Sequence, residues 1–438
     1  MTTGMLSPLT ARPAIDGPIE PRRQAILAAL AFTSLFVFAT RWPVVRSQPF
    51  DSDEFGFLAQ TASHWFPMHH TLFMTSARVL GLVCGDAYRG FIILDMVMSA
   101  GALVSAWWML RAFVKPATAA AAAIMLGVAP VFWGYGAMAG NYTAIVLVGS
   151  FLLGVAYRGG SDPERWHPFA AAVVLAIGTG YRPDIGTLWL PVLCVIFWQH
   201  RWKRAIAAAL LFTVVNLAWL VPMLHDAGGW SRYRAASAEF AHSAGYLNSV
   251  WNLGVVDAPI RYSVKLGMAL LWTFGPALAF VPRGVWRLAR VHHAWLLGLL
   301  LAISVAPALA SHLLVHFGVP GYAFHYVPAL LILTALGAGR TRIDELGRSS
   351  FAMPSTTVLR RSAPAQLIAV ASVLAAMFWC YPTDYSQPGL RGSFDLAFCR
   401  FTRIGLKTPD PHRSPEYWRT ANSRRLAGPP KAQRVNEG

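Results

Sequence analysis

Three acids in four residues, Asp51, Asp53 and Glu54, stand in the segment Pro49-Phe50-Asp51-Ser52-Asp53-Glu54-Phe55 beside a strongly apolar stretch. An ionised carboxylate held in such a place can take a proton from a hydroxyl or an amine. The same residues also have a purely structural use. Asp51 as an N-cap with Glu54 three positions into the helix forms a capping-box-like start. An amphipathic helix would then run to about Trp65, with Phe55, Leu58, Ala62 and Trp65 along its apolar face. That use absorbs Asp51 and Glu54 and leaves Asp53 as the principal base candidate. Pro67-Met68-His69-His70-Thr71-Leu72-Phe73 follows. Neighbouring residues on a helix point about 100° apart, so one of His69 and His70, and not both, is expected to make a polar contact to a ligand.

A second chemical signal is Tyr181-Arg182-Pro183-Asp184. Proline is favoured at the first position of a helix, so a helix is expected to begin at Pro183. A guanidinium beside a helix N-terminus is an anion site; the competing use of Arg182 is anchoring to lipid headgroups. Gly228-Gly229-Trp230-Ser231-Arg232-Tyr233-Arg234 interleaves aromatic and basic residues, a composition that suits sugar stacking and phosphate contact and equally an interfacial belt. Asp95 falls inside an apolar run, where an acid is costly, and is read as pairing with a polar neighbour. Asn216, His312 and His325 are read as interhelical hydrogen-bond formers. Asn141-Tyr142-Thr143 is a formal glycosylation sequon. Cys84, Cys194, Cys380 and Cys399 have no metal-ligand spacing, and Cys380 with Cys399 is the one pairing considered.

The elements that must carry these residues are helices in a membrane. The 438 residues are 55% apolar and 13% charged, about half the charge of a soluble domain, and apolar runs recur near the length needed to cross about 30 Å of hydrocarbon. The fold class expected is all-α, a polytopic membrane protein of about 11 transmembrane helices, with short amphipathic helices in the first extracytoplasmic loop. Runs start near 25, 89, 117, 138, 168, 185, 204, 263, 294, 321 and 364. Residues 1–24 form a cytoplasmic segment, 25–381 the membrane domain, and 382–438 a basic tail. The net charge of +17 falls mainly at the ends of apolar runs, where it sets topology and meets anionic lipid, so nucleic acid is excluded as a partner.

With the amino terminus inside, short cytoplasmic loops hold 18 Lys and Arg against 9 outside, the tail excepted. Residues 41–88 and 224–262 then form two long loops on the extracytoplasmic face. Cysteines placed at Ser47 and Ser243 are expected to react with an impermeant thiol reagent from outside in both cases. Reaction from opposite sides would remove the shared face.

The order Asp51-x-Asp53-Glu54-aromatic, short helix, His69-His70-Thr71-Leu72-Phe73, short helix, second span resembles the first extracytoplasmic loop of the GT-C superfamily of polyprenyl-phosphate-sugar-dependent glycosyltransferases. The similarity is to the branch of the protein O-mannosyltransferases and the aminoarabinose transferases of lipid A. Asp53-Glu54 matches that branch's acid pair and His69 or His70 its histidine, while Thr71 stands where proline is common. Tyr181-Arg182-Pro183-Asp184 with Leu188-Trp189-Leu190-Pro191 is similar to its Arg-Pro-acid segment. His316-Phe317-Gly318-Val319-Pro320-Gly321-Tyr322 with Tyr326-Val327-Pro328 looks like its late Gly-Tyr and Tyr-x-x-Pro pattern.

The resemblance implies a membrane glycosyltransferase that moves a hexosyl or pentosyl group from a polyprenyl phosphate to a glycan, lipid or protein acceptor with inversion. Asp53, Glu54 and Asp51 are its catalytic candidates; Arg182, His69, His70, Arg232, Tyr233 and Tyr322 are its substrate-binding candidates. No metal-ligand set is assigned, and a divalent cation is left open. The localisation expected is the inner membrane of a bacterial cell, with the site on the extracytoplasmic face. A secondary transporter or lipid flippase is the alternative, for which acids near mid-membrane would be expected.

Overall fold

The structure is a computed structural model that describes residues 23–42, 45, 52–159, 166–289, 295–338 and 362–379. Asp51, Cys380, Cys399 and the basic tail lie outside the described residues, and so does the side chain of Asp53. The described residues form 17 α-helices and no strands, as the apolar runs require. Five helices or helix pairs are long and apolar enough to cross a membrane, and seven shorter apolar helices accompany them. With Thr71–Cys84 placed in the first loop, eleven apolar helices remain.

The first element, α1 (Arg23–Arg41), leads into two loop helices, α2 (Ser52–Ser63) and α3 (Thr71–Cys84). α2 stops at Ser63, short of the expected Trp65, and α3 begins directly after the histidine pair, so His69 and His70 precede a helix instead of riding on one. Gly85 ends α3 in the left-handed region (φ 70°), where an L residue is strained. Asp86 at once caps α4 (Ala87–Leu110) by accepting from the Tyr88 amide at 2.9 Å. The two helices then lie so close that a Cβ on Gly90 would stand 2.2 Å from the Ala77 carbonyl oxygen. That contact fixes α3 on the N-terminal end of α4.

The apolar run from 117 to 135 is broken into α5 (Pro116–Gly127) and α6 (Pro130–Tyr135). Pro130 disfavours helical geometry in the residue before it, and Ala129 is extended (φ −64°, ψ 130°). α7 (Thr143–Gly159) starts five residues later than its apolar run, because residues 138–142 form a packed loop. α8 (His167–Tyr181) and α9 (Pro183–Trp198) are separated by Arg182 alone, and Pro183 opens α9 as expected.

The long loop expected at 224–262 is largely helical. α10 (Trp202–Asp226) runs into it; α11 (Trp230–Phe240), a π turn and a 3-10 turn, and α12 (Val250–Leu253) follow; α13 (Asp257–Phe274) begins inside it. α14 (Val281–Ala289), α15 (Trp295–Leu314), a 3-10 turn at Pro320–His325, α16 (Val327–Ala338) and α17 (Ala363–Trp379) complete the fold.

α4 sits at the centre, against α1, α3, α5 and α7, while α7 packs on α8 and α9. Trp189, Phe91, Phe73 and Phe132 fill the interior. Leu210, Val214 and Val221 on α10, and Leu27, Phe32 and Leu35 on α1, are exposed. Apolar faces of that kind are stable against lipid and not against water.

Candidate functional site

Arg182 caps the end of α8 and the start of α9 with an extended backbone (φ −150°, ψ 118°), and its side chain is buried. Nε donates to Asp184 Oδ1 at 3.1 Å and Nη2 to Asp184 Oδ2 at 3.2 Å, a two-donor grip on one carboxylate. Nη1 donates to Asn141 Oδ1 at 2.6 Å. The guanidinium carbon lies 4.0 Å from the Tyr142 ring centroid and 5.5 Å from that of Tyr322, within the range of cation–π attraction. Three of the five guanidinium N–H groups are used in these bonds, which among the described residues leaves two for a ligand.

The pair is held from behind by a chain of donors. Trp189 Nε1, an obligate donor, points at His325 Nδ1 at 3.2 Å. That fixes the His325 proton on Nε2, which donates to Asp184 Oδ2 at 3.3 Å. His312 Nδ1 meets the Tyr326 hydroxyl at 2.9 Å and its ring packs on Tyr322 and His325. Gly321 admits the Tyr142 ring, since a Cβ there would lie 2.4 Å from it. The result is a planar cation on an aromatic floor at a helix N-terminus.

The first loop closes one side of this cluster. His70, in the left-handed region (φ 54°), places Nδ1 3.1 Å from the Tyr181 carbonyl oxygen. A carbonyl only accepts, so Nδ1 carries the proton and Nε2 presents a lone pair. Burial first, and then the nearby Arg182 charge, hold the His70 imidazole well below its ordinary pKa, so the ring is neutral at neutral pH. His69 points elsewhere and packs on Phe240 at the end of α11, with centroids 4.8 Å apart.

Phe57 of α2 packs edge-on against His70 and Phe73. Glu54 is fully buried, and its Oε1 accepts from the Ala139 amide at 3.1 Å. Asp53 is the residue before it, in the first turn of α2.

The structure thus brings together Arg182, Tyr322 and His70, with Glu54 tied to the adjoining loop. Arg232 and Tyr233 lie on α11, Arg232 exposed and the Tyr233 ring tilted against Trp230 with centroids 5.6 Å apart. Asp95 bonds to Gly140 and Thr143. Asn216 donates to the Phe212 carbonyl one turn back in its own helix, which replaces the interhelical bond expected of it. Among the described residues no group of three or more His, Cys, Asp or Glu could hold a metal ion. Asn141, Tyr142 and Asp184 are site residues that the sequence reading did not assign. Asp184 alone had a local signal, two positions after Arg182 across a helix start.

No family model and no curated protein sequence matches the chain. Solved structures do. ArnT from Cupriavidus metallidurans bound to undecaprenyl phosphate superposes with a TM-score of 0.56 over 87% of this chain and 76% of that one, at 12% identity. The chain shares its fold with that structure. Apo ArnT gives a TM-score of 0.49 over 72% of this chain and 59% of that one, at 14% identity. The Pmt1-Pmt2 protein O-mannosyltransferase complex of S. cerevisiae bound to the sugar donor gives 0.38, covering 50% of this chain and 35% of that one, at 13% identity. Five helices or helix pairs long and apolar enough to cross a membrane, with exposed apolar faces, make this chain an integral membrane protein. Of the two loop helices, α2 packs on α3, and α3 packs on α4 and α8.

Proposed function

We propose that the protein is a membrane glycosyltransferase that moves a hexosyl or pentosyl group from a polyprenyl phosphate to an extracytoplasmic acceptor. The observation that carries this reading is the buried Arg182, fixed at the head of α9 on two tyrosine rings with two N–H groups left to give. A lipid-borne phosphate fits that place, since the carrier lies in the membrane and its charge must be met at the interface.

In the proposed reaction Asp53 takes the proton of the acceptor hydroxyl or amine. The acceptor attacks the anomeric carbon, the bond from that carbon to the phosphate oxygen breaks, and the departing phosphate is met by Arg182, with the neutral His70 beside it. A single displacement inverts the anomeric centre. The site faces the extracytoplasmic side of a bacterial inner membrane, built on the segment 25–381. Glycan, lipid and protein are the acceptor classes.

Donor binding is testable without an acceptor. Undecaprenyl phosphate at 100 times its dissociation constant is expected to stabilise the purified protein by about 2.7 kcal/mol, read as a rise in Tm over the same protein with undecaprenol. Equal Tm with both lipids would contradict a phosphate site.

A further inference from the structure

The loop that carries Asn141 and Tyr142 to Arg182 is held by two buried carboxylates from other helices. Asp95 of α4 accepts the Gly140 amide on Oδ2 at 3.2 Å and the Thr143 hydroxyl on Oδ1 at 2.5 Å, and the Asn141 amide engages the same carboxylate. It therefore satisfies the donors at the approach to α7, a cap supplied by a neighbouring helix. Glu54 takes the amide one residue earlier, that of Ala139. Three successive backbone amides are thus pinned.

Pinning is needed because Asn141 is held in the left-handed region (φ 48°), which costs a residue with a Cβ. Its side chain bridges Tyr181, whose carbonyl accepts from Nδ2 at 3.1 Å, and Arg182. We infer that Asp95 is a positioning residue of the Arg182 site, acting through residues 139–142, with Glu54 as the second tie. A fully buried acid in an apolar helix is costly, and Asp95 offsets that cost by accepting these bonds. Two of those bonds are one and two residues from the contacts that place the guanidinium. The link between Asp95 and Arg182 stands on this geometry; only the ligand of Arg182 rests on the function proposed above.

The test is the rate at which phenylglyoxal modifies Arg182 in the full-length protein, read by peptide mass spectrometry. Exposed Arg89 serves as the reference, and Arg158, buried against Trp108, reports on folding. Asp95→Asn and Asn141→Ala are each expected to raise the Arg182 rate at least fivefold, with Arg158 unchanged. The double variant is expected to exceed neither single one, because both break the same link.

Should Asp95→Asn also open Arg158, Thr143→Val decides: it removes one bond to Asp95 and is expected to raise Arg182 reactivity alone, while Thr143→Ser stays slow. Wild-type Arg182 reactivity in Asp95→Asn, or in Thr143→Val, or effects that multiply in the double variant, would overturn the inference. Undecaprenyl phosphate added to the wild type reads the donor site separately. Failure to protect Arg182 would contradict the proposed function and leave the Asp95 result standing.

Discussion

Asp53→Asn is expected to lower sugar transfer by about 10² to 10⁴, the usual contribution of a positioned general base, with expression and donor binding unchanged. The substitution is nearly isosteric and removes only the capacity to accept a proton. Its neighbour supplies the contrast. Glu54 is buried and already accepts a backbone amide, which commits its carboxylate to holding the 138–142 loop. Loss at Glu54→Gln is therefore expected in stability as well as in rate. Asp51→Asn is expected to cost about 0.5–2 kcal/mol of helix stability as a lost cap and to keep part of the turnover. Turnover at the wild-type level in Asp53→Asn, together with inactivity in Glu54→Gln at full stability, would move the base to Glu54.

Arg182→Lys is expected to weaken binding of undecaprenyl phosphate about 10- to 100-fold, equivalent to about 1.4–2.8 kcal/mol, the scale of one or two charged hydrogen bonds. Lysine keeps the charge but not the plane. It cannot grip both oxygens of Asp184, reach Asn141 and lie flat on Tyr142 at once. Titration of the purified variant with the lipid, by the shift in Tm, measures the loss. Unchanged affinity would confine Arg182 to a structural role at the α8–α9 junction.

The membrane helices were legible because their apolar runs have the length of a bilayer, and the start of α9 because Pro183 marks it. The break before Pro130 was signalled by that proline yet hidden in a run that is apolar throughout. The late start of α7 has no apolar signature, since Met138 and Ala139 pack as well in a loop as in a helix.

In the site, Arg182 could be found from its own neighbours, but its partners come from 41 positions before it, at Asn141, and its carboxylate's second partner, His325, lies 141 positions after Asp184. No local pattern joins such residues. Asn141 looked like a glycosylation sequon, and His325 like one of several polar residues in apolar surroundings, until the fold set them around the Arg182–Asp184 pair.

Transfer itself is the most direct measurement. Proteoliposomes holding the wild type would receive polyprenyl-phosphate hexose and pentose labelled in the sugar, with a bacterial envelope extract as the source of acceptors. The expected result is label leaving the polyprenyl phosphate for an acceptor with inverted anomeric configuration, in the wild type and not in Asp53→Asn. Label that stays on its carrier while the carrier crosses the bilayer in a protein-dependent way would contradict a glycosyltransferase and identify a flippase.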